Sequence, residues 1–253
     1  METAQQRLVV TQFGPRAAAY VASSVHAQGP DLDQLEILVR ERPTGAVLDL
    51  GCGGGHASLR VAPFVQHVTA YDLAQPMLAA VAKLAADRGL VNVATRQGAA
   101  ESLPFADASF DMVLSRYSAH HWSDLSAALR ETRRVLVPGG RAIFMDVIAP
   151  EQPVLDTYLQ SVELLRDPSH VRDYSAAEWL GALADAGLEP GPVTQRRLRL
   201  EFASWIERIN TPEPHSAAIR SLQLMVAEDV KAHYEIEADG SFSIDTATFE
   251  ATC

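Results

Sequence analysis

The chain is short of cysteine, of long apolar runs and of positive charge, and each shortage removes a class of protein. Only Cys52 and Cys253 occur among 253 residues. One lies in a glycine-rich segment and the other is the last residue, so a disulfide framework is excluded and a reducing compartment fits. No apolar run approaches the roughly 18 residues of a membrane-spanning helix. The first residues, Met1-Glu2-Thr3-Ala4-Gln5-Gln6-Arg7, carry an acid and no apolar core, so no secretory signal is expected. A formal net charge of -11 argues against nucleic acid or an anionic membrane as partner, because both require a positive footprint. The pairs Arg133-Arg134 and Arg196-Arg197 are too short to reverse this and read as solvated helix ends or strand faces. The expected setting is the cytoplasm.

What the chain does have is material for one sizeable core: 47% hydrophobic against 21% charged residues, enough to fold without staples. Short β-rich runs at 46–50, 67–72, 92–97, 110–115 and 141–148 are continuously apolar, the pattern of strands covered on both faces. Helical patterns separate them; Leu125, Ala128, Leu129, Thr132, Val135 and Leu136, for example, recur at helical spacing. Such alternation predicts an α/β fold with a doubly wound, parallel sheet. Asp31-x-x-Gln34 and Ser175-x-x-Glu178 have the form of capping boxes, with Pro43 and Gly187 placed to end the two helices. A helical segment over about 15–42 is therefore expected before the first strand.

The last third has a different texture. Leu198, Leu200 and Phe202 alternate with Arg197, Arg199 and Glu201, as in a half-exposed strand. Trp205 and Ile209, then Ile219, Leu222, Val226 and Val230, suit two amphipathic helices. Asp239-Gly240 between 234–237 and 241–244 predicts a hairpin. With no repeat, low-complexity tract or linker, one domain spanning 1–253 is expected. Its parts are an N-terminal helical segment (1–44), a cofactor-binding core (45–148) and substrate-side helices with the last strands (149–253).

The chemistry concentrates at Val47-Leu48-Asp49-Leu50-Gly51-Cys52-Gly53-Gly54-Gly55-His56, a strand, an acid and a glycine turn opening a helix. Residues without Cβ atoms let backbone amides approach a ligand, and open α/β sheets bind adenosine-bearing ligands at this edge. A dinucleotide fingerprint wants a third glycine at position 56, where His56 stands. Asp72, ending the second strand, has the position of an acid that holds ribose hydroxyls.

Taken together, Asp49-x-Gly51-x-Gly53-x-Gly55, Asp72-x-x-x-x-Met77-Leu78, Gly98-x-x-Glu101-x-Leu103-Pro104-Phe105, Phe110-Asp111 and Leu136-x-Pro138-Gly139-Gly140 resemble the class I SAM-dependent methyltransferases, within them the type-11, ubiquinone/menaquinone-biosynthesis-like branch. Gln12-Phe13-Gly14, Tyr20-x-x-Ser23-x-x-His26, 116–122 and the Trp205 segment resemble YafE-type bacterial methyltransferases. The resemblance implies a seven-stranded, mostly parallel, Rossmann-like sheet and S-adenosylmethionine as cofactor. It implies that Gly51, Cys52, Gly53 and Gly55 face the methionine and ribose portions, while Asp49 holds the loop or the amino group. Asp72 would bind the ribose, Leu73 and Met77 would flank the adenine, Ala99 and Ala100 would stand at its edge, the backbone at Ser115 would meet the ammonium group, and Tyr20 the carboxylate. The family often has Asp where this chain has Ala99, which leaves the adenine amine to backbone groups or Glu101.

Methyl transfer from a sulfonium is an in-line displacement governed by alignment, so no universal catalytic residue is expected. His120, just after the fourth strand, and His26, in the segment expected to fold over the cofactor, are the candidates for a general base. Adjacent His120 and His121 without a third spaced ligand make a poor metal site, so none is expected. The stretch 167–174 and the helices near Trp205 and Ile219 are candidate acceptor-lid elements, with Trp122, Tyr174 and Trp205 suited to a partly apolar small molecule. The competing readings are a nicotinamide-dependent oxidoreductase, a cofactor-binding protein without catalysis, and a methyltransferase relative with another reaction.

Overall fold

The structure is a computed structural model and describes residues 3–16, 28–42 and 44–253. Seven strands form one sheet: β1 (Thr44–Leu50), β2 (Val65–Asp72), β3 (Val93–Gln97), β4 (Phe110–Arg116), β5 (Leu136–Val147), β6 (Glu189–Leu200) and β7 (Phe242–Thr252), in the order β3-β2-β1-β4-β5-β7-β6. The first five pair in parallel, and β7 runs antiparallel between β5 and β6. This is the expected doubly wound, mostly parallel α/β sheet. The order reverses between β1 and β4, which opens a crevice at the carboxyl ends of those two strands.

The pleat explains why the inner strands are apolar throughout. On β4, Val113 packs into one cluster while Met112 and Leu114 pack into the other; on β5, Phe144 and Ile143 divide the same way. One face is covered by helix α1 (Pro30–Glu41) and α2 (His56–Val61), through Leu32, Leu35, Ala57 and Val61. The other face meets α3 (Leu125–Val135) and α4 (Ala176–Asp185), where Trp179 stacks on Phe249 at 5.2 Å between centroids. All six predicted residues from Leu125 to Leu136 are buried, the first five on α3 and Leu136 opening β5. Strand β3 departs from the prediction: it is an edge strand, half-exposed to exposed along its length.

A third cluster forms from the last part of the chain. Helices α5 (Pro153–Arg166), α6 (Phe202–Arg208), α7 (Glu213–Met225) and α8 (Glu228–His233) pack Leu155, Tyr158, Trp205, Ile219 and Tyr234 against Phe242 and Ile244 of β7. It sits beyond the carboxyl end of β5 and walls the crevice.

Several local expectations are corrected. Of the helical segment placed at 15–42, the stretch 17–27 lies outside the described residues; α1 starts at Pro30, after Gly29, and a separate helix at Ala4–Phe13, capped by Thr3 and Gln6, lies upstream. Asp31 is not a helix cap, because its carboxylate is drawn inward by Arg116 at 2.5 Å; the Ser175–Glu178 box does form, and Gly187 follows α4 at a positive φ of 81°. Phe202 begins a helix rather than continuing a strand, since the Glu201 carboxylate caps the amides of Ala203 and Ser204. The second C-terminal helix breaks at Val226, which is extended, and acids Glu228 and Asp229 in the next first turn start α8. Asp239-Gly240 does turn the chain, yet 234–237 is no strand: β7 finds its partners in β5 and β6, which offer longer ladders. Among the described residues no helix is long and apolar enough to cross a membrane.

Candidate active site

The glycine turn is pinned from below. Gly51 and Cys52 both donate their amides to the Tyr71 carbonyl, at 2.8 and 3.0 Å, so the turn hangs from the end of β2. Gly51 has φ +70°, and a Cβ there would overlap the Ser118 hydroxyl that follows β4. Glycine is required twice over, by conformation and by space. Gly55 is in the same position, at φ +78° and pressed against Val81.

Two acids hold this turn. Asp72 accepts from the amides of Gly53 and Ala74, both at 2.8 Å, one on each oxygen. Burial pushes its carboxyl above the usual range, against these two bonds. Asp49, fully buried in β1, accepts from the amide and hydroxyl of Ser58 through Oδ2. Its Oδ1 is buried with no hydrogen-bond partner among the described residues. Desolvation, only partly offset by Ser58, pushes Asp49 up to about 7. An unpaired buried carboxylate oxygen beneath a ligand loop is a costly feature that a donor or cation would satisfy.

The other wall comes from β4, β5 and the loops after them. Arg116 at the end of β4 pairs with Asp31 and lies 4.8 Å over the Tyr117 ring. Tyr117 has φ +51°, an uncommon conformation for a bulky residue and one found often at functional sites. Asp146 on β5 is heavily engaged: its oxygens accept from the amides of Ala119 and Val147, both at 2.9 Å, and from His120 Nδ1 at 2.7 Å. Burial disfavours the His120 cation, but the charge and hydrogen bond of Asp146, then Asp173 and Glu163, outweigh it and raise His120 to about 9. Its neighbour goes the other way: burial and the His120 charge lower His121 to about 4. The His120 carbonyl accepts the Val171 amide at 2.8 Å, tying the 167–174 stretch to the site.

One cleft, about 1560 Å³ with its mouth included, joins these parts. Of the residues singled out in the sequence, Asp49, Gly51, Cys52, Gly53, Asp72, Leu73, Met77, Ala100, Glu101 and His120 line it. Gly55, Ala99 and Ser115 stand just behind the lining: Gly55 precedes α2, Ala99 offers its carbonyl to the Tyr71 hydroxyl at 3.2 Å, and Ser115 is buried one residue before Arg116. Glu101 is engaged by the Ser123 amide at 2.8 Å. Tyr20 and His26 lie outside the described residues. Trp122 and Trp205 line the cleft, whereas Tyr174 packs against the Trp179 cluster. Sequence reasoning passed over Asp146 and Glu163, and reached Asp173 and Arg116 only as members of the stretches 167–174 and 116–122. For Asp146 a signal existed, an acid inside the apolar run Ile143-Phe144-Met145-Asp146-Val147, which burial on both faces makes costly unless it is bonded.

This sheet order, with a glycine turn and an acid at the switch point, defines the Rossmann-like methyltransferase fold. The methyltransferase-domain family model matches residues 48–144. Uncharacterized protein YafE of Escherichia coli K12 is 48% identical over 201 residues, 79% of this chain and 97% of YafE. Uncharacterized methyltransferase YcgJ of Bacillus subtilis is 40% identical over 202 residues, 80% of each chain, and its crystal structure superposes with a TM-score of 0.84, covering 88% of this chain and 97% of that one. A malonyl-[acyl-carrier protein] O-methyltransferase of Pseudescherichia vulneris is 32% identical over 195 residues, 75% of this chain and 74% of that protein. The chain belongs to the S-adenosylmethionine-dependent methyltransferases.

Proposed function

We propose that this enzyme methylates a small molecule held in the half of the cleft away from the glycine turn. The observation that carries the reading is the continuity of the cleft. From the turn it runs past His120 to an apolar wall of Val147, Leu198, Leu200, Trp205 and Ile244. That wall is contributed by the end of β5 and the C-terminal third, so donor and acceptor halves have different sequence origins. An apolar wall interrupted by a few charged groups suits a partly apolar acceptor.

The residues present fit S-adenosylmethionine. The unpartnered Asp49 Oδ1 gives the cofactor's ammonium group a buried anion, with the backbone at Ser115 beside it, and the Asp72 carboxylate is at hand for ribose hydroxyls. Leu73, Met77 and Ala100 supply an apolar slot for the adenine, with Ala99 and Glu101 at its edge; Gly51, Cys52 and Gly53 line the turn and Gly55 shapes it from behind. Tyr20 and His26 belong to this reading through the family resemblance alone. When bound, the cofactor supplies an electrophilic methyl group. The chain's own work is to orient the acceptor, exclude water and present His120 at its reacting atom. Since His120 is held as a cation at neutral pH, it serves the acceptor as a hydrogen-bond donor rather than as a resting base. The whole of 1–253 acts as one domain in this reading, and its two free cysteines suit a cytoplasmic enzyme.

Calorimetric titration of the purified chain with S-adenosylhomocysteine and with NAD tests the assignment. S-adenosylhomocysteine is expected to bind and NAD is not, and Asp72→Ala is expected to weaken the former by about 1.5–3 kcal/mol, the scale of a charged hydrogen bond. Binding of NAD in its place, or an Asp72→Ala affinity equal to wild type, would refute it.

A further inference from the structure

Asp173 lines the same cleft and, like Asp49, carries a buried carboxyl oxygen without a hydrogen-bond partner among the described residues. Its side chain is 1% exposed, and the unpartnered atom is Oδ2. The residue is held rigidly: Gln160 on α5 accepts its amide at 3.1 Å and donates to its carbonyl at 2.8 Å. A ring nitrogen of His120, an oxygen of Asp146 and an oxygen of Asp173 lie within 4.8 Å of one another. Asp146 already accepts from two amides and the imidazole, so it is the most engaged of the three. The groups left to meet a ligand are His120 and Asp173.

We propose that His120 and Asp173 together clamp the reacting oxygen of the acceptor, and that the acceptor is an oxygen acid bound as its anion. This rests on the methyl-transfer reading above. Two donors, each about 2.8 Å from a shared oxygen, stand about 4–5 Å apart, and a ring nitrogen of His120 and a carboxyl oxygen of Asp173 lie within 4.8 Å of each other. Donation requires Asp173 to be a neutral acid, and its surroundings enforce that. Burial comes first and outweighs the opposing charge of His120; Glu163 and Asp156 on α5 and Asp146 on β5 add like charge, so the carboxyl sits well above its ordinary range. His170, on the same loop, lies 3.9 Å away, and burial keeps it neutral. A carboxylic acid kept neutral in this way donates to an oxyanion as a hydroxyl would, beside the His120 cation. The acceptor loses its proton to bulk water before it binds. Its oxygen then forms the new C–O bond as the C–S bond breaks, and that electron pair stays on sulfur. His120 and Asp173 keep their protons throughout.

The test uses the full chain saturated with S-adenosylhomocysteine, and para-nitrophenol as probe, at a pH where the free phenol is mostly neutral. Visible absorbance is expected to show the bound probe as phenolate. Asp173→Ala is expected to weaken phenolate binding about tenfold, while Asp173→Asn, which retains a donor, stays within about threefold of wild type. Both variants should hold S-adenosylhomocysteine as wild type does, and the ¹³C shift of the Asp173 carboxyl should report the protonated form at neutral pH. Benzoate provides the second arm: preference for it over the phenol assigns a carboxylic acid, and the reverse assigns a phenol or enol, with the clamp intact in either case. The clamp is overturned by a bound probe that stays neutral, or by Asn as damaging as Ala. It is overturned equally by binding of neither probe, or by stoichiometric Mn²⁺ binding that Asp173→Ala abolishes, which would make Asp173 a metal ligand. Failure of wild type to bind S-adenosylhomocysteine would instead strike the methyl-transfer reading itself.

Discussion

Asp146 holds His120 through an Oδ1···Nδ1 contact of 2.7 Å while both of its oxygens also accept backbone amides, from Ala119 and Val147. The acid therefore cannot follow the imidazole if the ring moves, and the ring is fixed in one orientation toward the cleft. The pair is a positioning device with a charge consequence: His120 titrates near 9 rather than near 6.5.

Replacing Asp146 by Asn is expected to bring His120 well down from 9, because the largest group opposing its burial is then gone and only Asp173 and Glu163 still favour the cation. A histidine whose folded pKa is raised contributes stability that is fully present below its unfolded pKa and is lost as pH rises through the folded one. Wild type should thus lose about 3 kcal/mol between roughly pH 6.5 and 9, much of which the variant lacks. Urea unfolding across that range, alongside NMR titration of the ring, measures both. Parallel pH profiles in the two proteins would contradict the pairing.

The ion pair of Asp31 with Arg116 ties α1 to the carboxyl end of β4, and both side chains are nearly buried, at 10% and 6% exposure. Removing Asp31 takes a buried carboxylate away from the Arg116 cation. Asp31→Ala is expected to cost about 3–5 kcal/mol in urea unfolding and to weaken binding at the cleft, since Arg116 lines it. A loss below about 1 kcal/mol, the size of a surface pair, would show that the pair does not hold the helix.

How much of this was legible beforehand depends on the range of the interaction concerned. The parallel strands and α3 were readable because their signal is periodic and local: Leu125 to Val135 names one helix face, and runs such as Met112-Val113-Leu114 name a strand buried twice. The glycine turn was readable because its φ angles demand glycine wherever the chain goes. Asp31 misled because Asp-x-x-Gln satisfies a local rule while Arg116, 85 residues away, offers a stronger bond. Asp239-Gly240 misled in the same way, as a true turn whose upstream arm loses to β5 and β6. The stretch 167–174 was legible as a lid candidate, but the role of Asp173 within it was not, since that lies in four carboxylates and one imidazole gathered from α5, β5, the loop after β4 and its own loop.

Gly51 and Ser118 form a contact that a double-mutant cycle can resolve. Gly51→Ala alone imposes a left-handed conformation on alanine, about 1–2 kcal/mol, and also drives its Cβ into the Ser118 side chain. Ser118→Gly removes the obstruction, at the cost of the bond from Trp122 Nε1 to the Ser118 hydroxyl, which the single Ser118→Gly variant loses equally. The two changes together should therefore be less harmful than their sum by at least about 1 kcal/mol, measured by thermal unfolding. Simple additivity would mean that the turn and the loop after β4 are not packed as described.

Asp49 supplies a prediction about binding itself. Burial, against the two Ser58 bonds, holds its carboxyl near 7, so about half of the free protein carries a proton there at neutral pH. A cation arriving at the unpartnered Oδ1 favours the ionised form and brings the pKa down. Binding of S-adenosylhomocysteine, whose amino group is charged, is then expected to release about half a proton at pH 7. Less should be released above pH 8, where Asp49 is already ionised. Calorimetry in buffers of different ionisation enthalpy counts that proton directly. Asp49→Asn should abolish the release and weaken the affinity together, because one carboxylate is responsible for both. An enthalpy independent of buffer at pH 7 would detach Asp49 from the ammonium group and leave it only the task of holding Ser58.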